Sequence, residues 1–153
     1  MRKGDRILPL EEAYLADVAE LERLSFAEPW SEQSLRLLLG ENGLGVVVVR
    51  DGNAVAYGGM TVVLDEGSVT NIAVHPHARR AGLGRAVVRA LMERARSRGI
   101  VSVFLEVRES NEAALSLYRS EGFVPCGIRK NFYRYPTESA IQMVYHQPSL
   151  AEE

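Results

Sequence analysis

The chain predicts a mixed α/β fold: one sheet, part antiparallel and part parallel, with helices on its faces. Three observations carry that reading. Three apolar runs between Leu44 and Val74 are separated only by turn residues, the pattern of consecutive antiparallel strands. The period then changes, with Val87, Val88, Leu91, Met92 and Ala95 recurring on one helical face. The aliphatic run Val101 to Val107 follows, and a strand, helix, strand unit of this kind closes by a right-handed parallel crossover.

In chain order, Ile7-Leu8-Pro9-Leu10 reads as a short first strand. Glu11 to Ser25 is helical, with apolar residues at Tyr14, Leu15, Val18, Leu21 and Leu24. Ser31 is a good N-cap for a second helix that stops at Gly40. Leu44 to Arg50 is a valine-rich strand, and Asp51-Gly52-Asn53 turns it into a second from Ala54 to Leu64. Asp65-Glu66-Gly67 marks the next turn before a strand from Ser68 to Val74. The central helix ends near Gly99, and the strand Val101 to Val107 follows. A further helix from Asn111 to Glu121 ends at Gly122, ahead of strands at Phe123 to Ile128 and Ala140 to Tyr145. The order is β-α-α-β-β-β-α-β-α-β-β. With no repeat or linker, residues 1–153 read as one domain with a core from about 7 to 145 and a frayed polar tail over 147–153.

Composition excludes several classes. Among 153 residues, 46% are hydrophobic and 25% charged, which is ordinary globular usage. A net charge of -2 argues against broad binding to a nucleic-acid backbone, so any anion site must be local. The single cysteine, Cys126, cannot close an internal disulfide and reads as a small filler near a strand. Met1 to Arg6 lacks the apolar core of a signal peptide, and the longest apolar runs, such as Val46 to Val49, are too short to span a bilayer. A cytoplasmic protein acting without a membrane is expected.

The most informative stretch is Asn71-Ile72-Ala73-Val74-His75-Pro76-His77-Ala78-Arg79-Arg80-Ala81-Gly82-Leu83-Gly84-Arg85, between a strand and a strong helix. Gly82 and Gly84 keep no side chain against a ligand, and the amides opening the helix have no intrahelical partner, which makes an anion cradle. Arg79, Arg80 and Arg85 add cations suited to more phosphate than one helix end can neutralise. A Walker loop would need Lys-Ser/Thr where Arg85-Ala86 stand. A dinucleotide fingerprint would need its first glycine directly after the strand, and Val87 occupies its third glycine position. His75 and His77 have no carboxylate or cysteine nearby in sequence and suggest a loop rather than a metal site.

The segment Arg79-Arg80-Ala81-Gly82-Leu83-Gly84 resembles the Arg/Gln-x-x-Gly-x-Gly/Ala signature of the GNAT superfamily, and the element order matches that fold. Downstream, Leu105-Glu106-Val107-Arg108-Glu109-Ser110-Asn111 and Ala114 to Phe123, with Ser25 to Ser31 and Arg129 to Tyr133, resemble the RimI family of ribosomal-protein N-terminal-alanine acetyltransferases. The resemblance implies acetyl-coenzyme A as cosubstrate, with no metal. It implies that the loop amides from Arg79 to Arg85 hold the pyrophosphate, that the backbone of Ile72, Ala73 and Val74 pairs with the pantetheine arm, and that Asn111 is a coenzyme contact. It further implies Glu106 as general base, Tyr118 as general acid, and Trp30 and Tyr133 at the peptide entrance. The acceptor it implies is a protein N-terminus, such as that of ribosomal protein S18.

The residues bear independently on two of these roles. Glu106 alternates with Leu105 and Val107, so it faces away from the aliphatic side near a strand end. Tyr118 shares a helical face with Ala114 and Leu117, which packs its ring inward. A phenol near 10 is a plausible donor to a thiolate near 8.5. Two alternatives stay open at this stage: acetylation of a lysine or small amine, and a coenzyme A-binding module without catalysis. Glu138-Ser139, where a Glu-Asp pair is usual in the family, is a departure on the substrate side.

Overall fold

The computed structural model describes residues 1–148. Leu44 to Val49 carries almost no polar residue because this strand is covered on both faces. Val46 and Val48 join one buried cluster, and Val47 and Val49 join another, as the two-residue period of a strand dictates.

The strands are β1 (Arg6–Pro9), β2 (Gly43–Arg50), β3 (Asn53–Val63), β4 (Glu66–Val74), β5 (Ser102–Arg108), β6 (Val124–Tyr133) and β7 (Glu138–His146). They form one sheet in the order β1-β2-β3-β4-β5-β7-β6. The β4–β5 pair is parallel, as the crossover argument requires, and among the described residues the other pairings are antiparallel. Helix α1 (Leu15–Ser25), opened by a 3-10 turn at Glu12–Tyr14, and the short α2 (Glu32–Leu35) belong to the cluster of Leu15, Val18, Leu35, Val47 and Tyr57. Helices α3 (Leu83–Ser97) and α4 (Glu112–Ser120) contribute Leu83, Val87, Leu91 and Leu115 to the other cluster. Among the described residues no helix is long and apolar enough to cross a membrane.

Several boundaries differ from the sequence expectation, for physical reasons. The second helix does cap at Ser31, whose hydroxyl accepts from the Ser34 N–H, but after one α turn it tightens into a 3-10 turn at Arg36–Leu39. Strand β6 runs to Tyr133 rather than ending at Ile128. It is an edge strand, exposed along nearly its whole length, so Arg129, Lys130 and Asn131 have no buried face and leave no alternation to read. Cys126 is exposed rather than a filler, at an irregularity in the β6–β7 register between Pro125 and Gly127. The expected frayed tail is anchored at its first residue: the Gln147 N–H donates to Val101 O at 2.7 Å and its amide Nε2 to Ile100 O at 2.8 Å. The rest of that expectation, over 149–153, lies outside the described residues.

Adjacent glycines bring both helical layers onto β3. A Cβ built at Gly58 would lie 2.6 Å from Val87 Cγ1, and one at Gly59 would lie 2.6 Å from Leu38 Cδ1. Valine is stiff at χ1, so the Gly58 contact cannot be relieved by the far end of a flexible chain. Gly58→Ala is therefore expected to destabilise by about 1–3 kcal/mol through overpacking. Thermal unfolding checks this: the midpoint should fall by roughly 2–4 °C per kcal/mol.

Candidate active site

Strands β4 and β5 pair over only three positions, Glu66↔Ser102, Gly67↔Val103 and Ser68↔Phe104. Beyond these, β4 stays with β3 and β5 stays with β7. The departure coincides with a bulge: Gly58 pairs with Ile72 and Met60 with Val69, so Thr70 and Asn71 together oppose Gly59. The backbone of Ile72, Ala73 and Val74 consequently pairs with β3 on one side and has no β5 partner on the other. A single register shift thus makes an unpaired strand edge and a cleft beside it.

Three cavities meet at this cleft. The first, about 240 Å³, is lined by Asn71, Glu106, Asn111, Tyr118 and Tyr133 among others. The second, about 450 Å³, extends toward the α1–α2 loop and the β6–β7 hairpin and shares Ser25, Phe26, Asn71, Arg108 and Tyr133 with the first. A third of about 280 Å³ lies against Ser68, Glu106, Arg129 and Gln142. Glu106 therefore stands between the first cavity and the third.

The half-buried Glu106 has Oε1 3.2 Å from Arg129 Nε, and it faces Gln142 across the β5–β7 ladder. Tyr118 lies edge-on to Phe123, with ring centroids 5.8 Å apart. Burial pushes its phenol up to about 12, with the neighbouring Tyr133 adding to the shift. Tyr133 is also pushed up to about 12, first by burial and then by the charge of Glu106. The Arg108 guanidinium sits 4.5 Å from the centre of the Tyr133 ring, and its charge opposes that rise. Arg108 donates to Arg134 O at 2.8 Å and Pro136 O at 2.9 Å, so it braces the hairpin that carries Tyr133. Glu138 accepts from the Ser110 N–H at 2.6 Å; that serine, then Arg108, holds its carboxyl below the usual range.

The glycine loop enters α3 through two left-handed residues, Arg80 at φ 64° and Gly82 at φ 78°. A Cβ at Gly82 would meet nothing within 4 Å, so it is the backbone conformation that requires glycine here. The amides of Leu83, Gly84 and Arg85 in the first helical turn lack intrahelical acceptors. Of the expected cations, Arg79 donates to Val74 O at 3.1 Å, and Arg85 donates to Ser120 Oγ at 2.8 Å and Glu121 Oε2 at 2.6 Å. Both are engaged within the protein. Ala81 O accepts from the Met1 ammonium at 3.2 Å. Asn111 caps α4 by accepting from the Ala114 N–H at 3.1 Å while also lining the first cavity.

Glu106, Tyr118, Asn111, Ile72 and Tyr133 thus meet at one cavity. Trp30 does not line any of the three; it packs with Leu8, Tyr14 and Phe26 against the α1 cluster. His75 and His77 stack with centroids 5.2 Å apart, and His75 Nδ1 accepts from the His77 N–H.

Sequence reasoning missed Glu22, which is fully buried and accepts from the Tyr57 hydroxyl, the Trp30 N–H at 2.8 Å and Asn71 Nδ2 at 3.1 and 3.0 Å. A signal existed. Leu15, Val18, Ala19 and Glu22 fall at i, i+3, i+4 and i+7, which puts the glutamate on the buried stripe.

Comparison with known proteins agrees with this fold. A family model described as the acetyltransferase (GNAT) family matches residues 15–123. The [ribosomal protein bS18]-alanine N-acetyltransferase of Escherichia coli K12 is 40% identical over 127 residues, 83% of this chain and 86% of the relative. A putative enzyme of the same name in Bacillus subtilis is 38% identical over 128 residues, 82% of this chain and 85% of that one. The crystal structure of the ribosomal-protein-S18-alanine N-acetyltransferase from Escherichia coli superposes with a TM-score of 0.86 at 38% identity, covering 93% of each chain. A family model matched over residues 15–123, joined to relatives at this identity and coverage, establishes that the chain belongs to the GNAT family of acetyltransferases.

Proposed function

We propose that this chain transfers the acetyl group of acetyl-coenzyme A to the N-terminal alanine of ribosomal protein bS18. The observation that carries the chemistry is the parting of β4 from β5, which leaves an unpaired strand edge beside a cavity containing both Glu106 and Tyr118. The acceptor is supported by the relatives that bear this name at 40% and 38% identity. A cytoplasmic setting belongs to the same proposal, supported by the ribosomal acceptor. So does a single domain, supported by one sheet that joins strands from Arg6 to His146.

The loop around Gly82 and Gly84 suits the pyrophosphate of the cosubstrate, and the free edge of Ile72, Ala73 and Val74 suits an extended amide-bearing arm. Glu106 removes a proton from the amine, directly or through one water. The amine attacks the thioester carbon, a backbone N–H near Val74 steadies the oxyanion, and Tyr118 gives its proton to the departing sulfur. Transfer is direct. An α-amine near 7.7–8.0 is about a tenth neutral at pH 7, whereas deprotonating a lysine near 10.4 costs about 3–4 kcal/mol more. One carboxylate paired with a half-exposed arginine suits the easier amine.

Four experiments test this reading. Gly84 has room for a side chain in the protein itself, since its Cβ would lie 3.7 Å from Leu117 Cδ2, in ordinary contact. Gly84→Val should therefore fold yet lose acetyl-coenzyme A binding, and unchanged affinity by calorimetry would remove the cradle.

Glu106→Gln and Tyr118→Phe should each lower turnover by roughly 10²- to 10⁴-fold with coenzyme affinity nearly intact. In the parent enzyme, kcat/KM should rise with pH through the acceptor's amine range. It should show no alkaline fall from Tyr118 before its pKa of about 12, because a raised pKa keeps the phenol protonated below that value. A fall centred near 10 that is absent in Tyr118→Phe would show the phenol ionising at its ordinary value, without the rise that burial imposes.

Finally, a peptide beginning with alanine should be acetylated faster than the same peptide N-terminally blocked and carrying a lysine. The reverse order, read by mass spectrometry, would sink the acceptor and leave the family standing.

A further inference from the structure

We propose that Asn71 contacts the acceptor amine through its side-chain oxygen, and that Glu22 is the residue that positions it; this rests on reading the cleft as the acceptor site. Glu22 has no exposed surface, and its hydrogen-bond partners among the described residues are neutral donors: a hydroxyl, a backbone N–H and the Asn71 amide. Such a carboxylate persists only where donors converge on it. A carboxylate accepts and cannot donate, so the face of Asn71 turned toward it must be the nitrogen.

That fixes the amide. Nδ2 lies 3.1 Å from Glu22 Oε1 and 3.0 Å from Oε2, which turns Oδ1 away from the carboxylate. Asn71 occupies the bulge where β4 leaves β5, and it lines both the Glu106–Tyr118 cavity and the larger one beside it. Among the described residues Oδ1 accepts no hydrogen bond. Ser25 lines the same two cavities, and its buried hydroxyl also lacks a partner. The buried hydroxyls of Ser25 and Thr70 both lack partners and line the first cavity, and with Asn71 Oδ1 beside them they make a polar junction suited to a ligand with several N–H groups.

An N-terminal amine supplies them. One N–H faces Glu106 for removal, and Asn71 Oδ1 accepts another, which orients the nitrogen lone pair toward the thioester. Glu22 also takes the Trp30 N–H, so the same carboxylate ties the α1–α2 loop to the β4 bulge and sets the width of the acceptor cavity. Glu22 touches no substrate in this scheme and acts through Asn71.

The test is a kinetic cycle on the full chain with an alanine-initial peptide and acetyl-coenzyme A, each variant checked for folding by thermal unfolding. Asn71→Leu, which keeps volume and removes the acceptor, should raise the peptide KM by about tenfold and leave the acetyl-coenzyme A KM unchanged. Glu22→Gln keeps one acceptor oxygen, which can hold the Trp30 N–H and one contact to Asn71 Nδ2, but it loses the second acceptor at the Oε2 position, so the asparagine amide is no longer clamped from two sides. It should raise the peptide KM similarly, and combining it with Asn71→Leu should add nothing further.

An unchanged peptide KM in folded Asn71→Leu overturns the contact. Additive effects in the combined variant overturn the positioning role and leave Glu22 as a core residue only. If Glu22→Gln does not fold, Tyr57→Phe, which removes one donor from the same carboxylate, takes its place in the cycle. Were the parent enzyme to prefer a lysine peptide, the proposed acceptor would fall, and the same KM ratios on that peptide would decide Asn71.

Discussion

The site depends on one constraint: β4 and β5 must stop pairing after Ser68 and Phe104 while each keeps its other neighbour. Strand β5 remains bonded to β7 from Ser102 to Arg108, and β4 remains bonded to β3 as far as Val74. Each backbone group that loses its β5 partner is costly to bury, at about 1–3 kcal/mol, unless solvent or a ligand satisfies it. An extended ligand carrying amides is the partner such an edge selects. The bulge at Thr70 and Asn71 is what turns β4 away, and it delivers Asn71 into the opening.

Holding a sheet open requires support on both faces. Val87, Leu91 and Leu115 pack one face, and Leu15, Val18 and Leu35 pack the other. The glycine pair at Gly58 and Gly59 lies opposite the bulge and lets both layers approach closely there. Glu22 then ties α1, β3, the β4 bulge and the α1–α2 loop through one carboxylate. Removing one donor from a buried carboxylate is more damaging than the worth of one hydrogen bond, because the charge stays behind.

The fold was legible where burial imposes a period. The valine run of β2 and the alternation that turns Glu106 out of β5 both follow from faces that must be covered. The glycine loop was legible because left-handed Gly82 is a backbone requirement visible in the residue type. What did not show was set by tertiary partners. The extent of β6 depends on β7 beside it, and Arg85 turns to Ser120 and Glu121, thirty-five and thirty-six residues along the chain. Glu22 breaks the rule that glutamates face water, and only its place on the buried stripe of α1 marks it. The resemblance implied Trp30 at the peptide entrance; its ring packs against the α1 cluster and its N–H donates to Glu22, partners that no local pattern announces.

The raised pKa of Tyr118 changes how its proposed role must work. In water, a phenol at about 12 would donate to a thiolate near 8.5 at a cost of roughly 5 kcal/mol, from about 1.36 kcal/mol per unit. Burial is the first cause of that rise, and burial acts on the sulfur as well. A thiolate leaving into the same cleft is destabilised as an anion, so its own pKa climbs and the gap closes. The desolvation that weakens Tyr118 as an acid strengthens the leaving group as a base. It also keeps the phenol protonated throughout the range in which the acceptor amine is neutral. Proton transfer is then favoured only as the carbon–sulfur bond breaks, when charge reaches the sulfur, which ties the acid step to productive collapse and spares the resting thioester.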